Sequence, residues 1–153
     1  MKRIYMIGIV IVLILLAGAY LFSPISPLNK VNFNGETVKL SSGYTVQNSS
    51  GNSLTISNGT NELILTSTNL KSDLEAAVSG YEEKVADNYN VTRSNFEMKN
   101  NQDVIKTVAV SNNDTLSITK YWFVKDGKIC EIQTSNAQNG TDDIVRDLIN
   151  SMK

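Results

Sequence analysis

The chain has 153 residues, 14 basic and 15 acidic side chains, no histidine and a single cysteine. Without histidine it lacks the commonest general base, the usual catalytic triad and most zinc sites. One cysteine, Cys130, excludes an internal disulfide scaffold, and it lies too far from the N-terminus to be a lipoprotein attachment point.

Met1-Lys2-Arg3 leads into 19 residues, Ile4 to Phe22, without a charged or strongly polar side chain. As a helix this run reaches ~28 Å, about the thickness of a bilayer's hydrocarbon core. Lys2 and Arg3 are held in the cytoplasm by the positive-inside bias, which sends the rest of the chain outside. The sequence therefore predicts an N-terminal membrane anchor over 1–22. The alternative is a secretory signal cleaved after Ala17-Gly18-Ala19, with Tyr20 as the new N-terminus. Tyr20 and Phe22, aromatics at the expected interface, favour the anchor. A type IV pilin stem would carry an acidic residue early in this run, and none is there.

Residues 23–30 form a short Ser/Pro linker that holds both prolines of the chain, Pro24 and Pro27. Residues 31–153 suffice for one extracytoplasmic domain. Beyond Lys2 and Arg3 there are 12 basic and 15 acidic residues, a balance that argues against nucleic acid as a partner.

Period-two patterning and turn residues predict a hairpin of Val31–Phe33 with Glu36–Leu40 around Asn34-Gly35, and a second of Ser53–Ile56 with Asn61–Thr68 around Asn58-Gly59. Ser72-Asp73-Leu74-Glu75 has the form of a capping box, with Ser72 as the cap. The helix expected from Asp73 to Asn88 presents Leu74, Ala77, Val78, Tyr81 and Val85 as its apolar stripe. Four strands follow: Val91–Lys99, Gln102–Val110, Thr115–Lys125 and Lys128–Ser135. Their expected turns are Asn100-Asn101, Asn112-Asn113-Asp114 and Asp126-Gly127. A last helix is expected with Thr141 as cap and Ile144, Val145, Leu148, Ile149 and Met152 inward.

Tight turns fix a register. They put Phe96, Met98, Ile105, Ala109, Tyr121, Phe123, Cys130 and Ile132 on one core face. The other face receives a polar row, Asn95–Lys106–Lys120–Gln133, with Trp122 between Glu97 and Glu131 one row away. It also receives Val108, Val110, Leu116, Ile118, Val124 and Ile129. A sheet apolar on both sides needs two covering layers, supplied by the helices and the N-terminal hairpins. The expected fold is thus α+β, an antiparallel sheet in an α/β/α sandwich. Asn95, Lys106, Lys120, Trp122, Glu131 and Gln133 are the candidate contacts for a ligand or partner, with Glu131 as counter-charge to Lys120.

The remaining motifs carry little catalytic chemistry. Cys130 points with Ile132 toward the core, and Asp142-Asp143 suits a helix start. No phosphate-binding loop, calcium loop or nucleotide fingerprint occurs, and no cofactor is expected. Asn-x-Ser/Thr triplets begin at Asn48, Asn58, Asn90, Asn113 and Asn139, as glycosylation candidates.

The order of elements, with Leu40-Ser41-Ser42-Gly43-Tyr44 opening the domain, a central helix, the meander from Val91 to Ser135 and a terminal helix over Ile144 to Met152, resembles the PsbP-like fold group. That group includes photosystem extrinsic proteins, Ran-release-factor-like proteins and bacterial envelope lipoproteins. The resemblance implies an exported, non-catalytic scaffold or binding module and transfers no functional residue. The expectation is a membrane-anchored binding or assembly module for an envelope protein or small ligand; the alternative is a structural envelope protein with no specific ligand.

Overall fold

The computed structural model describes residues 29–69 and 73–152. The anchor, its cleavage alternative and most of the linker lie outside these residues, as does Ser72. Among the described residues no helix is long and apolar enough to cross a membrane.

The strands are β1 (Lys30–Phe33), β2 (Glu36–Lys39), β3 (Thr45–Ser50), β4 (Ser53–Ser57), β5 (Glu62–Asn69), β6 (Tyr89–Asn95), β7 (Val104–Ser111), β8 (Ser117–Lys125) and β9 (Lys128–Ser135). Helix α1 (Leu74–Val85) lies between β5 and β6, and α2 (Thr141–Ser151) follows β9. Seven strands form one antiparallel sheet in the order β3-β4-β5-β9-β8-β7-β6, while β1 and β2 pair separately. The second expected hairpin, β4–β5, is therefore part of the sheet rather than a covering layer. Its β5 pairs with β9, opposing Leu65 to Ile132 and Ser67 to Cys130. Strand β3, which the sequence pattern did not announce, completes one edge.

Two hairpin turns form as expected. Asp126 (φ 49°) and Gly127 (φ 68°) both adopt left-handed backbone, so Lys125 opposes Lys128 and Lys120 opposes Gln133. Asn34 and Gly35 do the same between β1 and β2.

The other two connections are longer, and each moves the register by one residue. Four residues, Asn112–Thr115, separate Ser111 from Leu116, whose carbonyl accepts from the Ser111 amide at 2.9 Å. Asp114 takes the left-handed conformation (φ 55°) that closes this loop. Thr107, not Lys106, consequently opposes Lys120. Between β6 and β7 the turn runs Met98–Asn101, and the Phe96 amide bonds the Val104 carbonyl at 2.8 Å. Asn95 thus opposes Ile105, and Ser94 opposes Lys106. The two shifts cancel at β6, so Phe96 and Met98 reach the expected face. They leave β7 inverted: Ile105 and Ala109 join the face of Trp122, while Lys106, Val108 and Val110 turn to the face of Tyr121.

The larger core lies between the sheet and the layer of α2 with β1–β2. Phe33, Val38, Leu54, Ile56, Leu63, Leu65, Tyr121, Phe123, Ile132, Val145 and Leu148 are all buried there. The smaller core packs Val78 of α1 on Ile105 and Trp122, flanked by Leu74, Tyr81 and Ile129. One helix on each face gives the expected α/β/α layering.

Both helix starts differ from expectation. Asp73 caps α1, its carboxylate accepting from the Ala76 amide at 2.7 Å, one residue after the expected Ser72 cap. The helix ends at Val85, before a turn over 86–88. At α2 the cap is Gly140 (φ 84°), and Thr141 is the first helical residue. The Thr141 hydroxyl is used elsewhere, as acceptor for the Asn61 Nδ2 at 3.1 Å.

Candidate functional site

The inversion of β7 separates the two lysines of the expected polar row. Lys106 opposes Tyr121, so its side chain leaves the sheet on the α2 side, whereas Lys120 leaves on the α1 side. The single cationic row is not formed. Asn95, Lys120, Trp122, Glu131 and Gln133 do share the α1 face, with Asn95 at its β6 edge beside Ile105. Thr107 and Arg93 take the positions expected for Lys106 and Asn95, and Arg93 pairs with Glu75 of α1. Glu97 lies beyond the ladder in the connection after β6, and its carbonyl accepts from Arg146 Nε at 3.1 Å.

Lys120 is enclosed. Its ammonium lies 3.2 and 3.3 Å from the two Glu131 oxygens, 4.6 Å from the Tyr81 ring centroid and 5.0 Å from that of Trp122. Thr66 on β5 donates to Glu131 at 3.0 Å, and Trp122 Nε1 donates to Thr107 at 3.0 Å. Tyr81 and Trp122 stack at 5.3 Å with their planes 49° apart. Burial, and then the Glu131 charge, push the Tyr81 phenol above its ordinary value. With one carboxylate and two aromatic faces already around it, Lys120 serves to dock α1 onto the sheet and offers no free charge to an anionic ligand. Glu131 as its diagonal counter-charge was legible in the sequence; Tyr81 was not, because helix periodicity does not say where a helix lands.

Lys106 has a different set of partners. Its ammonium bonds both Asp142 oxygens at 2.7 and 2.8 Å, and the Tyr121 hydroxyl donates to the same carboxylate. Arg146 lies 4.8 Å over the Phe96 ring and pairs with Asp143 at 2.6 Å. A groove of about 630 Å³ runs past this cluster, lined by Glu97, Met98, Lys99, Asp143, Arg146 and Asp147, and its charges are of both signs. Burial pushes the Asp142 carboxyl up, but the hydrogen bonds from Lys106 and Tyr121 outweigh it and hold the group below the usual carboxylate range. A depressed pKa contributes stability that is fully present above the unfolded-chain value, near 3.9, and is lost as pH falls through the folded value. Asp142→Asn should therefore cost about 1 kcal/mol at pH 7, a low figure because 47% of the Asp142 side chain is exposed. Urea melts at pH 7 and pH 3 check this: the difference from the parent should shrink at the lower pH.

The α1 face beyond Lys120 is open. One row runs Asn48–Thr55–Ile64–Gln133–Lys120 across β3, β4, β5, β9 and β8; the next runs Ser53–Thr66–Glu131–Trp122. Helix α1 packs on β8, and Thr55, Ile64, Thr66 and Gln133 remain partly exposed in the middle of the sheet. These are hydroxyl, amide and aliphatic groups, fit for contact rather than proton transfer. Cys130 is buried, and burial pushes its thiol up to about 11, which makes it a poor nucleophile. Among the described residues no group of three His, Cys, Asp or Glu is placed to hold a metal ion.

No protein-family model matches the chain. No curated protein matches it either. Its structure is similar to the solution structure of cyanobacterial PsbP (CyanoP) from Synechocystis, with a TM-score of 0.52 at 10% identity, covering 86% of this chain and 95% of that one. At that identity the likeness is one of fold, and the fold is PsbP-like.

Proposed function

We propose that the chain is a membrane-anchored, extracytoplasmic binding module without catalytic activity, which docks a protein partner on the open half of its α1-side sheet face. The observation that carries this reading is the partial exposure of Thr55, Ile64, Thr66 and Gln133 in the interior of a seven-stranded sheet. A surface of hydroxyls, amides and one aliphatic chain, with Glu62 and Glu131 on the same face, suits the polar contact area of another protein. It has no positive stripe for nucleic acid. Ile4 to Phe22 supply the anchor and residues 23–30 the spacer, which keeps the domain near the membrane and its partner in the envelope. The PsbP-like fold and the absence of histidine support a non-enzymatic role.

The test is whether that face is covered in cells. Cysteines introduced at Thr55 and Gln133 should be shielded from a thiol reagent in intact membranes and reactive after purification. Equal reactivity in both settings would favour a structural envelope protein with no specific partner.

A further inference from the structure

The sheet has one end rich in asparagine. Ser57 opposes Glu62, Ile118 opposes Ser135, and Ala109 opposes both Val91 and Ile118. The β4–β5 turn, the loop after β9, the β7–β8 loop and the start of β6 therefore lie at the same end. Four of the five Asn-x-Ser/Thr triplets, those of Asn58, Asn90, Asn113 and Asn139, fall there. All five asparagines are exposed, but their triplets are built differently.

Two share one geometry. In Asn58-Gly59-Thr60 the glycine has φ +90°, which turns Thr60 back over the asparagine; its amide (3.1 Å) and hydroxyl (3.0 Å) both donate to Asn58 Oδ1. In Asn113-Asp114-Thr115 the aspartate has φ +55°, and Thr115 donates to Asn113 Oδ1 from its amide at 3.3 Å and its hydroxyl at 2.7 Å. The carboxamide oxygen is tied to the chain in each. Nδ2, the other arm of the same carboxamide, is left for an incoming group, with the threonine hydroxyl beside it at a loop tip. A shallow depression of about 570 Å³ next to Asn113, lined by Asn88, Tyr89, Ser111 and Asn112, leaves room for a first sugar.

The third turn triplet lacks this arrangement. Gly140 also has positive φ (84°), yet Thr141 is 2% exposed and its hydroxyl is held by Asn61. Asn48 and Asn90 lie in the two extended edge strands, and the Thr92 hydroxyl donates to the Val108 carbonyl.

We propose that Asn58 and Asn113 carry N-linked glycans and that Asn139 does not, an inference that rests on the extracytoplasmic reading above. The donor is a polyprenyl-phosphate-linked oligosaccharide and the catalyst a membrane oligosaccharyltransferase. A bond forms between asparagine Nδ2 and C1 of the first sugar while the bond from C1 to the phosphate oxygen breaks. The lipid phosphate leaves with that electron pair, and Nδ2 gives up one proton to the transferase. The glycans then shield one end of the sheet and leave the open α1-side face clear.

The experiment is peptide mass spectrometry on the full chain purified from the membranes of its own cells. Peptides with Asn58 and Asn113 should carry sugar mass and those with Asn139 should not, and Thr60→Val and Thr115→Val should each abolish their own site. A parallel arm labels Glu83→Cys in intact cells with a membrane-impermeant maleimide, Glu83 being exposed on α1 and the native thiol buried. Bare Asn58 and Asn113 in a chain that labels from outside would overturn the glycans alone. A chain that fails to label would overturn them together with the extracytoplasmic reading. Equal modification of Asn139 would overturn the geometric argument.

Discussion

Replacing Phe123 with alanine is expected to cost about 3–5 kcal/mol, the range for losing a buried aromatic side chain together with the cavity it leaves. Phe123 is 1% exposed in β8, opposite Val104 on one side and Cys130 on the other, inside the larger core. A domain of this size is stable by only about 5–15 kcal/mol, so the loss is a large part of the whole. The neighbouring residue supplies the control. Val124 points to the other face and is 40% exposed, so Val124→Ala should change stability by less than about 0.5 kcal/mol. Urea midpoints for the two variants check the direction of every side chain on β8. An unchanged midpoint for Phe123→Ala, with a lowered one for Val124→Ala, would mean that the strand is inverted.

Asn61→Ala is expected to cost about 2–4 kcal/mol without removing any apolar contact of note. Asn61 is 4% exposed; its Nδ2 donates to the Tyr44 hydroxyl at 3.0 Å and to the Thr141 hydroxyl at 3.1 Å, and its Oδ1 accepts from Thr134 at 2.9 Å. These four residues join the segment before β3, the start of β5, the end of β9 and the first turn of α2. Alanine would leave three buried hydroxyls short of a partner, each a desolvation penalty of about 1–3 kcal/mol that is not additive within one network. The coupling is measurable. Thr134→Val should cost less in the Asn61→Ala background than in the parent, because its partner is already gone. Independent, additive losses would show that the network does not act as a unit.

The sequence was most informative where local geometry admits one solution. Asp126-Gly127 and Asn34-Gly35 form two-residue turns because both central residues must adopt positive φ, and these residue types do so at low cost. The register of β8 on β9, and with it Lys120 beside Gln133 and diagonal to Glu131, followed directly. Asparagine runs are less specific. Asn112-Asn113-Asp114 and Asn100-Asn101 are compatible with several loop lengths, and each real loop moved the register by one residue.

Strand β7 was unable to correct the error, because Val104, Val108 and Val110 on one face and Ile105 and Ala109 on the other put apolar residues at both phases, and such a sequence carries no alternation to fix its register. Lys106 was therefore assigned to the wrong face, and the Asp142, Tyr121 and Arg146 cluster around it was missed. Strand β3 left no signal, since Thr45-Val46-Gln47-Asn48-Ser49-Ser50 holds one apolar residue and is exposed throughout. The β5–β9 pairing joins residues that are 59 to 69 positions apart across α1, a contact that no local pattern encodes.

The most direct test of the binding role is thiol protection on the open face in living cells. The native thiol, Cys130, is buried and gives no background, so the full chain can carry Thr55→Cys, Gln133→Cys or, as a control on the outer side of α1, Glu83→Cys. Slow labelling at the two sheet positions in intact cells, rapid labelling at all three after purification, and rapid labelling of the control throughout are the predicted result. Rapid labelling of Thr55→Cys and Gln133→Cys in cells, at the same rate as in the purified protein, would contradict it.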